Sequence, residues 1–184
     1  MNSPTDPDTI VDFVTGRTVA DIGAEANRQQ VERFLVEKKG YTREDVKVDA
    51  PIEMEIEGES YRSAVDLIIQ IDGTPIMAIK CAAGSLGSRE REIISAARLY
   101  AESPLPLAVV SDGSDAIVLD TQTGKQISTG LAGIPSRRQA VKVAQADPLP
   151  PVSPERLKRL KLVFRSYDSM NVNVGGRGDQ ASKS

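Results

Sequence analysis

The sequence predicts a mixed α/β sheet with helices packed on it. Three observations carry that expectation. Three strand patterns follow one another between residues 46 and 83, separated by tight-turn residues. A helical pattern then intervenes before the fully apolar stretch "LPLAVVS". An amphipathic helical segment precedes the first strand. A meander, a crossover helix and a returning buried strand close most simply as one sheet with antiparallel and parallel pairs.

Residues 1–21 contain early prolines and few apolar anchors, and are expected to be loosely ordered. "AEANRQQVERFLVEKK" places Ala24, Asn27, Val31 and Leu35 on one helical face, and Gly40 supplies the stop. "VKVDAPIEMEIEG" alternates as a strand, with Ile52, Met54 and Ile56 inward, Glu53, Glu55 and Glu57 outward, and Pro51 marking an edge or bulge. "ESYRSAVDLIIQI" and "TPIMAIKCAA" are strands of a hairpin turning at Asp72-Gly73. After "GSLGS", Ser88 is the expected cap of a helix, "REREIISAARLYAES", that ends at Pro104. "LPLAVVS" reads as a strand buried on both faces. "AIVLDTQTGKQIS" reads as a hairpin around Thr123-Gly124-Lys125, and "IPSRRQAVKVAQA" as a short helix. A proline-rich linker, "DPLPPVSP", precedes a final helix, "ERLKRLKLVFRSYDSM", with a cap, a first-turn proline and an acid at its start. Its stripe of Leu157, Leu160, Phe164 and Tyr167 fits packing onto the domain or a protein partner.

Composition removes several classes of function. With one Cys and no His, a disulfide framework, a Cys/His zinc site and a His-based triad are excluded. A metal would need oxygen ligands, which favours Mg²⁺ or Mn²⁺. Aromatic residues make up only 4% and Trp is absent, which argues against a base-stacking single-strand binder. No apolar run approaches the roughly 18 residues of a membrane span. The acidic start "MNSPTDPDTI" does not read as a signal peptide, and a cytoplasmic setting is expected. Charge is unevenly spread. Residues 1–122 hold 12 basic and 22 acidic side chains, and residues 123–184 hold 11 basic and 4 acidic. The basic part suits phosphates, an acidic partner or plain solvation.

Two charges stand out because their strands are otherwise apolar: Asp66 and Lys80. Alternation puts Ala78 and Lys80 on one face, with Ile79 and Cys81 on the other. The Asp72-Gly73 hairpin brings the two strands together, so the pair reads either as an ion pair at a partly wet sheet end or as part of a hydrolytic site. In such a site acids hold Mg²⁺ and a lysine stabilises developing negative charge.

The helix "RQQVERFLVEKKGY", the hairpin "YRSAVDLII…DGTPIMAIKC" and the later "RLYAES…LPLAVVSDG" together resemble the N-terminal domain of type I restriction enzyme R subunits. That domain is part of the PD-(D/E)XK nuclease superfamily. The resemblance spans roughly residues 24–135, and "LVFRSYDSMN" is similar to the ends of small relatives of that domain. It implies a restriction-endonuclease-like mixed sheet flanked by helices. It also implies that Glu32 and Asp66 are metal acids for Mg²⁺ or Mn²⁺, and that Lys80 is the catalytic lysine. Two positions depart from the family pattern. Its second strand acid, two residues before the lysine, is Ala78, and a helix Gln four residues before Tyr100 is Ala96. A methyl group binds no metal, so the candidate replacements are Glu90 and Glu92 on the next helix.

Other motifs are set aside. Lys80 precedes the glycines of "CAAGSLGS", so this is no P-loop, and 184 residues leave no room for a helicase motor. Asp112, Asp115 and Asp120 read as turn residues, Cys81 as core, and Arg177-Gly178-Asp179 as a chance tripeptide. The expected organisation is a poorly ordered segment 1–21, a restriction-endonuclease-like domain 22–135, a basic helical extension 136–170 and a disordered tail 171–184. The expected function is a divergent nuclease-fold protein that engages DNA, with weak or lost Mg-dependent cleavage. The alternative is an inactive module binding DNA or protein through the same fold. Arg89, Arg91, Arg137 and Arg138 are the candidate DNA contacts, with salt bridging within the helix as the competing role for Arg89, Arg91 and Arg98.

Overall fold

The computed structural model describes residues 8–172. Residues 1–7 and 173–184, including most of the expected disordered tail and Arg177-Gly178-Asp179, lie outside the described residues. The chain begins with a two-stranded hairpin, β1 (Thr9–Val11) and β2 (Thr18–Ala20), followed by helix α1 (Glu25–Lys39). A six-stranded sheet contains β3 (Val46–Ile56), β4 (Glu59–Ile71), β5 (Thr74–Cys81), β6 (Leu107–Ser111), β7 (Ala116–Asp120) and β8 (Gln126–Thr129). Helix α2 (Glu90–Leu99) crosses from β5 to β6, and α3 (Arg137–Ala144) and α4 (Pro154–Val172) close the chain.

The strands lie side by side in sequence order, antiparallel except for the β5–β6 pair. Local sequence explains most of this. Asp72 and Gly73 both take positive φ, 50° and 81°, as a two-residue hairpin turn requires. Gly40 ends α1 in the left-handed region at φ 77°, its amide bonded to the Leu35 carbonyl. The β5–β6 pair is parallel because α2 carries the chain back across the sheet. Every residue of β6 is buried, as the run "LAVVS" implies.

Strand alternation divides the core in two. One face holds Leu67, Ile69, Met77, Ile79 and Cys81 beneath Val31 and Leu35 of α1 and Ala140 of α3. The other holds Ile68, Ala78, Ala108 and Val110 beneath Ile93, Ala96 and Ala97 of α2 and Phe164 of α4. The stripe on α4 therefore packs onto the domain, with Leu160 and Phe164 buried.

Three expectations are corrected. Within 8–21 the chain is not loosely ordered but forms the β1–β2 hairpin. Polar anchors hold it: Asp12 is buried beside Arg28, and Gln29 Oε1 accepts the Phe13 amide at 2.7 Å. Helix α2 is entered through a turn of 3-10 helix at Gly87–Arg89, so Ser88 does not cap it. The Ser88 hydroxyl donates instead to the Ser85 carbonyl. Arg98 binds the carbonyls of Thr121 and Gln122 rather than a helix glutamate.

The facing of β4 gives a direct test. Ile69 is wholly buried, whereas Asp66 is one-fifth exposed at its side chain. Ile69→Asn loses apolar burial and strands an amide, a cost of about 4 kcal/mol. Asp66→Ala is expected to melt well above Ile69→Asn in thermal denaturation, and equal melts would mean that β4 is turned over.

Candidate functional site

The site forms where β4 and β5 part. Their ladder runs from Ile71↔Thr74 to Leu67↔Ile79, and one step on, Asp66 stands across from Lys80. Beyond that point β4 continues with β3 alone, from Ala50↔Val65 to Ile56↔Glu59. The β3–β4 register skips Asp49, whose φ is 47°. Asp66 Oδ2 accepts the Cys81 amide at 2.8 Å, taking up a backbone donor where the ladder stops.

Asp66 and Lys80 share the face covered by α2. Lys80 Nζ lies 3.3 Å from Asp66 Oδ2 and 3.4 Å from Oε1 of Glu92, which sits in the first turn of α2. Oε2 of Glu92 is 3.3 Å from Arg89. Glu92 is buried at 4% exposure. Burial pushes the Lys80 ammonium toward a lower pKa, and the carboxylates of Asp66 and Glu92 outweigh it. Lys80 is therefore charged at neutral pH. Cys81 points to the opposite face, and burial raises its thiol pKa well above the usual value.

Of the two acids read as replacements for position 78, Glu92 joins Lys80. Ala78 and Ala96 are buried in the apolar cluster beneath α2. A carboxylate at position 78 would enter that cluster, whereas Glu92 reaches Lys80 from the helix. A cavity of about 10 Å³ remains among Asp66, Lys80, Glu92, Ala96 and Phe164.

Glu32 belongs to a second charged network. Its Oε2 accepts the Val14 amide at 3.2 Å, and its Oε1 lies 3.9 Å from Arg28 with no hydrogen-bond partner. Arg28 also meets Asp12, Glu25 and Asp49, at 3.2, 2.7 and 3.4 Å. Burial and the nearby Asp12 charge push the Glu32 carboxyl up to about 7, which Arg28 and the Val14 amide only partly oppose. Among the described residues, no three Asp, Glu or Cys side chains form a group that could hold a metal ion. The carboxylates that meet Lys80 are Asp66 and Glu92, the second being one of the two helix acids expected as replacements for position 78.

The candidate DNA contacts are scattered. Arg89 is engaged by Glu92, and Arg91 is exposed on α2. Arg137 is 2.7 Å from the buried Asp45. Arg138 is exposed and lines, with Lys39, Arg137 and Lys142, an open groove of about 640 Å³ on the side of α1 and α3. The Asp112 and Asp120 carboxylates accept amides two or three residues on, as turn residues do.

Because the folded-state pKa of Glu32 lies above its ordinary value of 4.5, the folded protein binds that proton more tightly than the unfolded chain. The resulting stability is fully present below pH 4.5 and is lost as the pH rises through about 7. Glu32→Gln keeps the neutral shape. The unfolding free energy of wild type relative to Glu32→Gln should therefore fall across that window and then level off. A difference flat with pH would show that folding does not raise the Glu32 pKa.

The family model described as type I restriction enzyme R protein N terminus matches residues 23–135, well over half of the chain. No curated protein and no solved structure matches the chain. Among the described residues, no helix is long and apolar enough to cross a membrane.

Proposed function

The chain belongs to the family of type I restriction enzyme R protein N termini, and from that membership we propose that it engages DNA and hydrolyses a phosphodiester at the Asp66–Lys80–Glu92 site. The observation that carries the reading is the contact of Lys80 with two carboxylates from different elements. Glu92 stands in for the strand acid missing at position 78.

The donor set suits a hard divalent cation, since Mg²⁺ is held by one or two carboxylates together with waters and phosphate oxygens. Asp66 and Glu92 would hold it. When bound, such a cation supplies polarisation of the phosphate and a water of lowered pKa. Lys80 remains protonated, so its role is to neutralise negative charge developing on the phosphate, not to accept a proton. The Cys81 amide orients Asp66, and Arg89 orients Glu92.

A second reading is favoured by the charge balance. Two carboxylates, Asp66 and Glu92, meet two cations, Lys80 and Arg89. That arrangement also suits an inactive module that binds DNA or a protein.

Plasmid nicking with Mg²⁺ or Mn²⁺ separates the two. Glu92→Gln and Lys80→Ala should each lower wild-type cleavage by about 10²–10³-fold while retaining a folded far-UV spectrum. Absence of cleavage by wild type with either metal leaves the inactive module. Cleavage that survives Glu92→Gln would mean that the missing acid is replaced by another residue.

Duplex binding tests where phosphates lie. Arg91 is exposed on the helix that carries Glu92, whereas Arg138 and Lys142 line the groove on the other side. In anisotropy titrations, Arg91→Ala should reduce the slope of log affinity against log salt by about one, as expected for one phosphate contact. Arg138→Ala with Lys142→Ala should leave it unchanged. The reverse pattern would put the duplex on the α1–α3 side, away from Lys80.

A further inference from the structure

We infer that α4 is a displaceable strap that narrows the Asp66–Lys80–Glu92 site, where Lys80 and Asp66 keep 18% and 20% of their side chains exposed, so that a phosphodiester fits beside Lys80 only after the helix moves aside. What enters rests on the nuclease reading above; the narrowing itself rests on geometry. Phe164 of α4 is 3% exposed and lines the same cavity as Asp66, Lys80 and Glu92. The space left is about 10 Å³, room for about one water and too little for a phosphate.

The helix is attached in a way that permits release. It lies beyond residues 23–135, the part matched by the family. Residues 147–153 carry no regular structure and include Pro148, Pro150 and Pro151. Among the described side chains of α4, Leu160 and Phe164 are buried. The polar ties sit at its rim: the Tyr61 hydroxyl meets Asp168, Lys161 Nζ donates to the Glu55 carbonyl at 2.9 Å, and Arg165 lies 5.9 Å from the Tyr61 ring centroid. Arg98 of α2 feels Arg156 of α4 as a like charge, which adds to burial in lowering its pKa. The helix packs along α2 and touches the end of β3, but its deepest side chains are Leu160 and Phe164, and a terminal helix on an irregular tether is the kind of unit that opens without global unfolding.

The test reads access to Lys80 rather than catalysis, in the 184-residue chain. An amine-acylating reagent is applied briefly, and labelling of Lys80 is followed by mass spectrometry. Phe164→Ala should raise Lys80 labelling by about tenfold, because the opening free energy falls with the lost burial of the ring. The double variant Tyr61→Cys/Asp168→Cys, joined by a short bismaleimide, should lower labelling below that of the unlinked variant. Cys81 is buried and stays out of that reaction. If Phe164→Ala does not fold, the cross-linked variant decides alone. Lys80 labelling unchanged by cross-linking, or unchanged in a folded Phe164→Ala, would overturn the strap. Labelling that responds as expected in a chain that never nicks DNA would overturn the nuclease reading and leave the strap standing.

Discussion

One ammonium organises the α2 side of the molecule. Lys80 is drawn by Asp66 from the neighbouring strand and by Glu92 from the crossover helix, each within 3.4 Å. An unpaired lysine at this depth would be costly, and so would two unpaired carboxylates. Lys80 therefore draws on both acids, while Glu92 is also met by Arg89 and Asp66 by the Cys81 amide. The first turn of α2 must sit over the end of β5, and the β4–β5 ladder must stop at Leu67 so that Asp66 is free to bend toward Lys80 and the Cys81 amide. The polar cluster fixes where the sheet forks and how the helix lies on it. The apolar cluster of Ile68, Ala78, Ile93 and Ala96 then supplies the bulk of the packing.

The α1 side is also built around one cation, but with more acids than it can balance. There a single guanidinium, Arg28, faces Asp12, Glu25, Glu32 and Asp49. Burial first, and then the charge of neighbouring Asp12, push the carboxyl of the deepest acid, Glu32, up to about 7, so that it relieves the crowding of four acids around one base. The N-terminal hairpin is the beneficiary, since Asp12 and the amides of Phe13 and Val14 are anchored in that cluster. The helix acid singled out by family resemblance is thus engaged in tying the N-terminal hairpin to α1, while the charges beside Lys80 come from β4 and α2.

The sheet was legible in the sequence because its signals are local. Asp72-Gly73 specifies a hairpin, alternation from Val46 to Ile56 specifies a half-exposed strand, and the unbroken run at residues 107–111 specifies a buried one. Asp66 and Lys80 were legible for the same reason, as charges out of keeping with their strands. What was not legible depends on contacts between distant residues. Strands β1 and β2 are three residues each, too short for periodicity, and their anchor is a buried carboxylate that meets an arginine 16 residues later. Glu92 and Glu90 are equal candidates in the sequence, and only laying α2 over β5 brings one of them, Glu92, to Lys80. Arg98 reads as a helix salt-bridge partner, yet it reaches the Thr121 carbonyl across the sheet end.

The long edge strand has a consequence for how these molecules behave toward one another. Among the described residues β3 pairs with β4 alone, so the other side of an 11-residue strand has no strand partner. Such an edge invites a strand from another chain. Here Pro51 offers no amide, Asp49 breaks the run with a left-handed residue, and Glu53, Glu55 and Glu57 project exposed charge along it. Two chains approaching edge to edge along β3 would set glutamates against glutamates. The opposite edge, β8, has only four residues and one exposed isoleucine, Ile127. Both edges therefore discourage sheet-to-sheet aggregation, one by charge and interrupted pairing, the other by being too short to template a partner.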